Sequence, residues 1–338
     1  MVAETSIGIL ETGGYVPEAA ISSEEVAKKV AVTDSWLTDE WITRKTRIVS
    51  RRYAAPGEAT SDLAARAAEQ ALERSGLAAT DLDYLIVSTS TGDSPQPPTA
   101  HLVQKEIQAY RAACLDINVV CSGFVYALAL AQGLVAQRPG SHALVVAAEV
   151  YSRFVDFTDR RTAVLMGDGA GAAVVGQVPE GRGFLGFELV GRGDAHGLIR
   201  VEAGGSRIPP SAETVADGGH FLRMEGRDVR NFVNENLPPA VRTLTDAHGL
   251  TLGDVQHFVP HQPNGVMLDE LVEHTGLEKA QNHRTVEQYG NMGSASVAYT
   301  LHDANLRGRL GEGDLVLLAG FGGGMSIGAG LLRWGGAR

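Results

Sequence analysis

Cysteine is scarce in this chain: Cys114 and Cys121 are the only two among 338 residues. Seven positions apart, they make no disulfide framework, and no Cys or His spacing of the metal-site kind accompanies them, so no metal is expected. Met1–Leu10 lacks a basic segment ahead of a long apolar core, and no run approaches about 18 continuous apolar residues. Neither a secretory leader nor a membrane span is expected, and the reading is a cytoplasmic protein in a reducing compartment. Positive charge is in deficit too. Against 40 Asp and Glu stand 29 Lys and Arg, for a net charge of −11 and a pI near 5.4. That balance argues against general binding to nucleic acid or to an anionic membrane.

What is present is ordinary for a globular enzyme: hydrophobic residues at 44% and charged residues at 20%. A length of 338 residues is long for one compact core, so two lobes are expected. The 41 glycines often cluster beside apolar runs, as tight turns and close backbone approaches in an α/β fold require. One local exception to the acidity is Arg44, Lys45, Arg47, Arg51 and Arg52. Such a run is either a solvated face or a phosphate-binding rim.

The chain repeats itself once. GLAATDLDYLIV at 76–87 and GLTLGDVQHFVP at 249–260 match at an offset of 173, and on that offset Cys121 falls on Ser294, Tyr126 on Tyr299 and Leu128 on Leu301. LVVAA at 144–148 then answers LVLLA at 315–319, each followed by a glycine-rich run. So long a period means a duplicated lobe and not a solenoid. The break is expected at 179–183, giving halves 1–178 and 179–338, with 192–220 as a loop insertion. Each half reads strand–helix–strand: short apolar runs at 82–89 and 116–120, an amphipathic helix at 61–75 closed by Gly76, and an apolar helix at 122–137. The alternation predicts mostly parallel, helix-covered sheets, one per lobe.

The repeat sets Cys121 and Ser294 at equivalent strand-to-helix turns. A thiol at a helix N-terminus faces the positive end of the dipole, which favours the thiolate. A buried Cys is more often a small hydrophobe, and Cys114 is read that way. Cys121 instead precedes Ser122 and Gly123, small residues that let a reacting group approach. Two polar residues of the second lobe sit at strand ends: His261, in Pro260-His261-Gln262-Pro263, and Asn291, in YGNMGSAS. Duplicated lobes would bring all three to a shared interface, where ligand sites tend to form.

VCSGFVYAL around Cys121, VPHQPN around His261, YGNMGSAS around Asn291 and GFGGG at 320–324 together resemble a ketosynthase III (β-ketoacyl-ACP synthase III) of the thiolase superfamily. The resemblance runs from Trp41 to Trp334. It implies an α/β thiolase-like fold, a duplicated five-layered αβαβα arrangement with two mixed sheets. It also implies an acyltransferase in which Cys121 takes an acyl group from acyl-CoA and condenses it with a malonyl thioester, losing CO₂. His261 and Asn291 would bond the malonyl thioester carbonyl, and the backbone N–H groups of Cys121 and Gly323 would form the oxyanion hole. Trp41, Arg44, Lys45, Arg160 and Asn264 would contact coenzyme A, while Gln96 and Phe321 would line the acyl pocket. The thioester is substrate, and no cofactor is expected. Partners implied are acyl-CoA, malonyl-CoA or malonyl-ACP, an acyl carrier protein and a second copy in a homodimer. This turns the basic run toward its phosphate-binding reading.

Departures from the family pattern bear on the substrate. Gln96 stands where a Phe often lines the partner's acyl pocket, which suggests a larger or more polar acyl group than acetyl. Val266 replaces a carrier-contacting Arg, Arg227 replaces a tunnel Asn, and Lys45 replaces an Arg whose bidentate geometry it cannot reproduce. These favour a specialised enzyme of polyketide or other secondary metabolism. The rival reading is an acyltransferase of the same fold that forms no carbon–carbon bond; Asn291 speaks against it, because transfer alone needs no enolate site. A thiolase lacks support, with Met325 and Ser326 where a second Cys would be.

Overall fold

The computed structural model describes residues 6–30, 34 and 36–335. Among these, ten strands form two five-stranded sheets. The first sheet holds β1 (Ser6–Tyr15), β2 (Tyr84–Ser88), β3 (Ala113–Ile117), β4 (Ala143–Val150) and β5 (Asp168–Val178), in the order β1-β5-β4-β2-β3. The second holds β6 (Gly183–Gly191), β7 (His257–Pro260), β8 (Gln281–Asn282), β9 (Leu315–Gly322) and β10 (Ser326–Arg333), in the order β6-β10-β9-β7-β8. Adding five to each number turns one order into the other, so the sequence offset is a repeat of topology. The chain crosses between sheets after Val178 and before Gly183.

Each sheet is mixed, with two parallel and two antiparallel neighbour pairs. The mostly parallel reading misses β5 and β10, which run against their neighbours. Apolar runs report burial and carry no direction; β10 follows β9 through a tight turn, which can only join antiparallel strands. β4 and β9 are buried at every position, as strands covered on both faces must be.

The principal helices are α1 (Asp39–Thr46), α2 (Thr60–Ser75), α3 (Gly123–Gln137), α4 (Gly226–Ala247), α5 (Gly265–Thr275) and α6 (Ala295–Leu306). α3, apolar almost all round, lies with α6 between the two sheets, where Phe124, Val125 and Leu128 join Val297 and Leu301 in one core with Val145 and Val316 from the inner sheet faces. α2 covers the outer face of the first sheet, and α4 and α5 that of the second. The result is five layers, α-β-α-β-α. α6 lies so close on β5 that a side chain at Gly171 would meet the backbone of Tyr299 at 2.5 Å. The segment 192–220 is no plain loop. It carries short helical turns and the strand Ile199–Val201, which pairs with Leu222–Met224 to make a ribbon over the cavity described next.

Candidate active site

β3 ends at Ile117, and the chain turns through Val120–Ser122 into α3. Val120 holds φ at 46°, a left-handed conformation that costs a β-branched residue on the order of 1–3 kcal/mol. The sharp turn aims Cys121 at the second half. There Gly322 abuts it so closely that a Cβ would stand 2.7 Å from the Cys121 Cβ and 3.0 Å from Sγ. Gly320 faces the Ser122 Cα at 2.7 Å, and the Ser122 hydroxyl donates to the Ser326 carbonyl at 3.1 Å. The glycines of GFGGG are thus needed where β9 passes the nucleophile's turn.

His261 follows β7 and donates its backbone N–H to the Ala319 carbonyl at 2.7 Å. The next residue locks this turn. Buried Gln262 donates to the Pro260 carbonyl at 2.8 Å and the His283 carbonyl at 3.2 Å, while its oxygen accepts from the Thr285 and Val286 N–H groups at 3.0 and 3.2 Å. Pro260 and Pro263 bracket this turn, and the amide between them, which no motif flagged, ties it down. Asn291 precedes α6, and its side-chain oxygen accepts the Gly293 N–H at 2.9 Å, which leaves the NH₂ end to donate.

Cys121, His261, Asn291 and Phe321 all line one cavity, together with Val120, Tyr151, Met166 and Gly322. Ile199, Leu222, Met224, Val229, Pro263 and Met267 form its apolar outer wall. Phe321 meets the His261 ring edge-on at 5.2 Å. Tyr151, which the sequence reading did not single out, is buried at the cavity's wall with its hydroxyl 2.6 Å from Ser90 Oγ.

The electrostatics differ from expectation at the nucleophile. Burial, and then the Glu149 carboxylate, push the Cys121 thiol up to about 12. The α3 dipole pulls the other way, but a desolvated thiolate beside an anion is the larger effect. At rest the sulfur is a thiol. Burial also holds the His261 ring down to about 3, with the Gly293 backbone opposing weakly, and its Nδ1 meets no hydrogen-bond partner. His261 is therefore neutral throughout the physiological range and able both to accept a proton and to donate a hydrogen bond. Because its lowered value makes the neutral form persist as pH falls, activity should show no acid limb near 6.5. A kcat/KM profile from pH 5 to 8 with a midpoint there would mean that His261 is more hydrated than this cavity allows.

The remaining predicted site residues spread along one wall and beyond it. Trp41 packs, as Ile199 and Met224 do, against the cluster that includes Ile42, Leu222 and Leu268. Its ring meets Trp36 edge-on at 5.4 Å, and Arg160 lies over Trp36 at 5.1 Å while pairing with Asp34 at 3.1 Å. Trp41 and Arg160 are brought together through Trp36, which went unnoticed in the sequence. Arg44 and Lys45 are exposed on α1, and Asn264 caps α5 by accepting the Met267 N–H at 2.9 Å. The basic run is not one patch. Arg51 is fully buried, bonding Ser23 and Val164; Arg52 bonds the Pro17 and Glu18 carbonyls; Arg47 lies 3.9 Å from Asp269. Gly323 follows Gly322 and packs on Val120, with a Cβ 3.1 Å from its side chain. Gln96, Arg227 and the loop around Gln96 are exposed, outside the cavity, and Val266 is half-buried on α5. No group of metal-ligating side chains occurs among the described residues.

With the geometry in hand, the chain was compared with known proteins. Residues 115–193 match the family model of 3-oxoacyl-[acyl-carrier-protein] synthase III, and residues 245–334 match the model of its C-terminal domain. The acetoacetyl CoA synthase NphT7 of Streptomyces sp. (strain CL190) is 46% identical over 96% of this chain and 98% of its own. The β-ketoacyl-[acyl-carrier-protein] synthase III of Symbiobacterium thermophilum is 40% identical over 97% and 98%. Among solved structures, the priming β-ketosynthase from the R1128 polyketide biosynthetic pathway superposes with a TM-score of 0.89 at 34% identity, covering 100% of this chain and 99% of the other. The synthase III from Thermus thermophilus gives 0.88 at 39% identity, covering 98% and 100%.

Proposed function

Because the chain belongs to the 3-oxoacyl-[acyl-carrier-protein] synthase III family, we propose that it condenses a short acyl group, carried on Cys121, with a malonyl unit through the three polar residues of the buried cavity. The observation that carries this is that Cys121, His261 and Asn291, more than a hundred residues apart in sequence at the extremes, line one space with no Lys or Arg among them. Such a space disfavours charge at rest and rewards donors placed where charge develops.

In the first half-reaction neutral His261 takes the Cys121 proton as sulfur attacks the acyl-CoA carbonyl. The oxyanion is held by the Cys121 and Gly323 N–H groups, and coenzyme A leaves as its thiol with the proton from His261. In the second, the malonyl thioester loses CO₂, and its electron pair becomes an enolate whose oxygen accepts from His261 and the Asn291 NH₂. The enolate carbon attacks the acyl carbonyl, and the Cys121 sulfur leaves, taking a proton that solvent supplies by way of His261. Trp41, Arg44, Lys45, Arg160 and Asn264 hold the nucleotide end of coenzyme A. We read residues 1–178 and 179–338 as the two halves of the duplication, the first giving the nucleophile and the second the enolate donors.

The acyl group we favour is acetyl-sized. The bulky Tyr151 and Phe321 wall the cavity beside Cys121 and favour a short group there. We infer an extender on coenzyme A in preference to a carrier protein: the relative at 46% identity is named an acetoacetyl CoA synthase, and Val266 offers an acidic carrier no charge. We infer a homodimer as well, formed about β3, whose outer edge is unpaired. Asp116 of β3 accepts the Thr99 and Ala100 N–H groups at 2.6 and 2.7 Å and so ties the Gln96 loop to that edge. A monomer by light scattering would refute it. A cytoplasmic setting fits these substrates.

The experiment is to supply acetyl-, butyryl- and hexanoyl-CoA with malonyl-CoA and follow CO₂ and acyl adducts on Cys121. Acetyl should load fastest, and Tyr151→Leu should bring hexanoyl loading up about tenfold, one lost ring being worth more than 1 kcal/mol of steric exclusion. Adducts without CO₂ from either malonyl-CoA or a malonyl carrier would return the acyltransferase reading.

A further inference from the structure

Glu149 has no part in the chemistry above, yet it is fully buried in β4 and forms no ion pair among the described residues. A buried carboxylate is costly unless donors satisfy it. Here they come from both halves. The Thr91 hydroxyl donates at 2.6 Å, the Ser294 hydroxyl at 2.8 Å, the Ser90 N–H at 3.2 Å and the Ser90 hydroxyl at 3.1 Å. Ser294 is the residue that the internal repeat pairs with Cys121, and its Cβ lies 3.6 Å from where a side chain at Gly123 would begin, two residues past the nucleophile. Ser90 also joins the Tyr151 hydroxyl at 2.6 Å. Gly293, whose N–H holds the Asn291 amide, sits so close that a Cβ there would stand 3.1 Å from Glu149 Cγ and collide with the Tyr151 ring.

We propose that Glu149 is a positioning residue: accepting hydrogen bonds from both halves, it clamps the Asn291–Ser294 turn and the Tyr151 wall against the Cys121 turn. The inference rests on the condensation reading for its purpose, but the clamp is a feature of the fold. The titratable groups around Cys121 are Glu149 and Tyr151 from β4 and the turn after it, and His261 from beyond β7; burial raises the Glu149 carboxyl, the Thr91, Ser294 and Ser90 donors oppose this by favouring its charged form, and that charge raises the thiol after burial, with no cation lining the cavity to offset it. A resting thiol does not react with stray electrophiles. The proton then leaves toward His261 only when a thioester carbonyl brings the oxyanion donors into use.

The test is alkylation of Cys121 by iodoacetamide at pH 8, read by intact mass, beside steady-state condensation. Glu149→Gln should raise the alkylation rate roughly threefold to tenfold, since each unit by which the thiol falls is tenfold in thiolate. It should lower kcat about tenfold or more, with the KM for acyl-CoA nearly unchanged. Glu149→Asp keeps the charge but shortens its reach, so alkylation stays at the wild-type rate while kcat falls; this variant carries the test if the Gln protein does not fold. Wild-type alkylation in Glu149→Gln, equal acceleration in both variants (the mark of mere loosening), or an unchanged kcat in both would overturn the proposal. Alkylation needs neither substrate, so absence of CO₂ from the wild type would sink the condensation reading while leaving the charge role standing.

Discussion

Replacing Cys121 by Ala abolishes acyl loading and lowers condensation by about 10⁴-fold or more, the largest effect expected of any substitution in the chain. In the proposed mechanism every route to product passes through the sulfur, and Cys114 cannot substitute for it: it lies on β3, pushed up to about 11 by burial, outside the cavity. His261 and Asn291 remain, however, so Cys121→Ala should still release CO₂ from malonyl thioester without forming a carbon–carbon bond. Intact mass after acetyl-CoA exposure checks the first claim, and labelled CO₂ the second. An adduct that survives the substitution would place the nucleophile elsewhere. Loss of both activities together with thermal stability would instead mean that the cavity collapses around the missing sulfur, which Ala, smaller by one atom, gives little reason to expect.

How far these residues could be read in advance depends on what kind of information each required. Cys121, His261 and Asn291 stood out as candidates because each is flanked by small or rigid residues, although Asn291 follows the short helix Val286–Tyr289 and not a strand, and the offset of the repeat set two of the turns opposite each other. The mixed sheets were not legible from patterning, because the apolar runs of β5 and β10 are the same read in either direction. The ribbon of Ile199–Val201 and Leu222–Met224 hid in a segment rich in Gly and Pro, although three of its four apolar residues wall the cavity. Glu149 left one trace, a lone charge inside the apolar run ALVVAAEV, and Tyr151 follows two residues later. The state of the Cys121 thiol was misread for a definite reason. A helix N-terminus is visible in sequence, whereas desolvation and a carboxylate from another strand are properties of the packed interior.

The second large effect separates the two half-reactions. Asn291→Ala should leave acylation of Cys121 by acyl-CoA within about threefold of wild type and lower condensation by roughly 10²–10³-fold, the size of effect that one donor to a developing oxyanion carries. The asymmetry follows from geometry: the Asn291 oxygen is taken by the Gly293 N–H, so the amide presents its NH₂ to the cavity and has no function before an enolate forms. His261→Ala should slow both steps, because the ring also receives the Cys121 proton. Asn291→Asp is the sharper substitution. It is nearly isosteric, keeps the acceptor for Gly293, and replaces the donor with an oxygen that repels the enolate at the pH where Asp is ionised. Condensation should therefore fall below that of Asn291→Ala, and lowering the pH should recover part of it as the carboxyl gains a proton and becomes a donor. Single-turnover loading of Cys121, followed by a chase with malonyl-CoA, resolves the steps. If loading and condensation fall in parallel for Asn291→Ala, the residue shapes the cavity and does not stabilise the enolate.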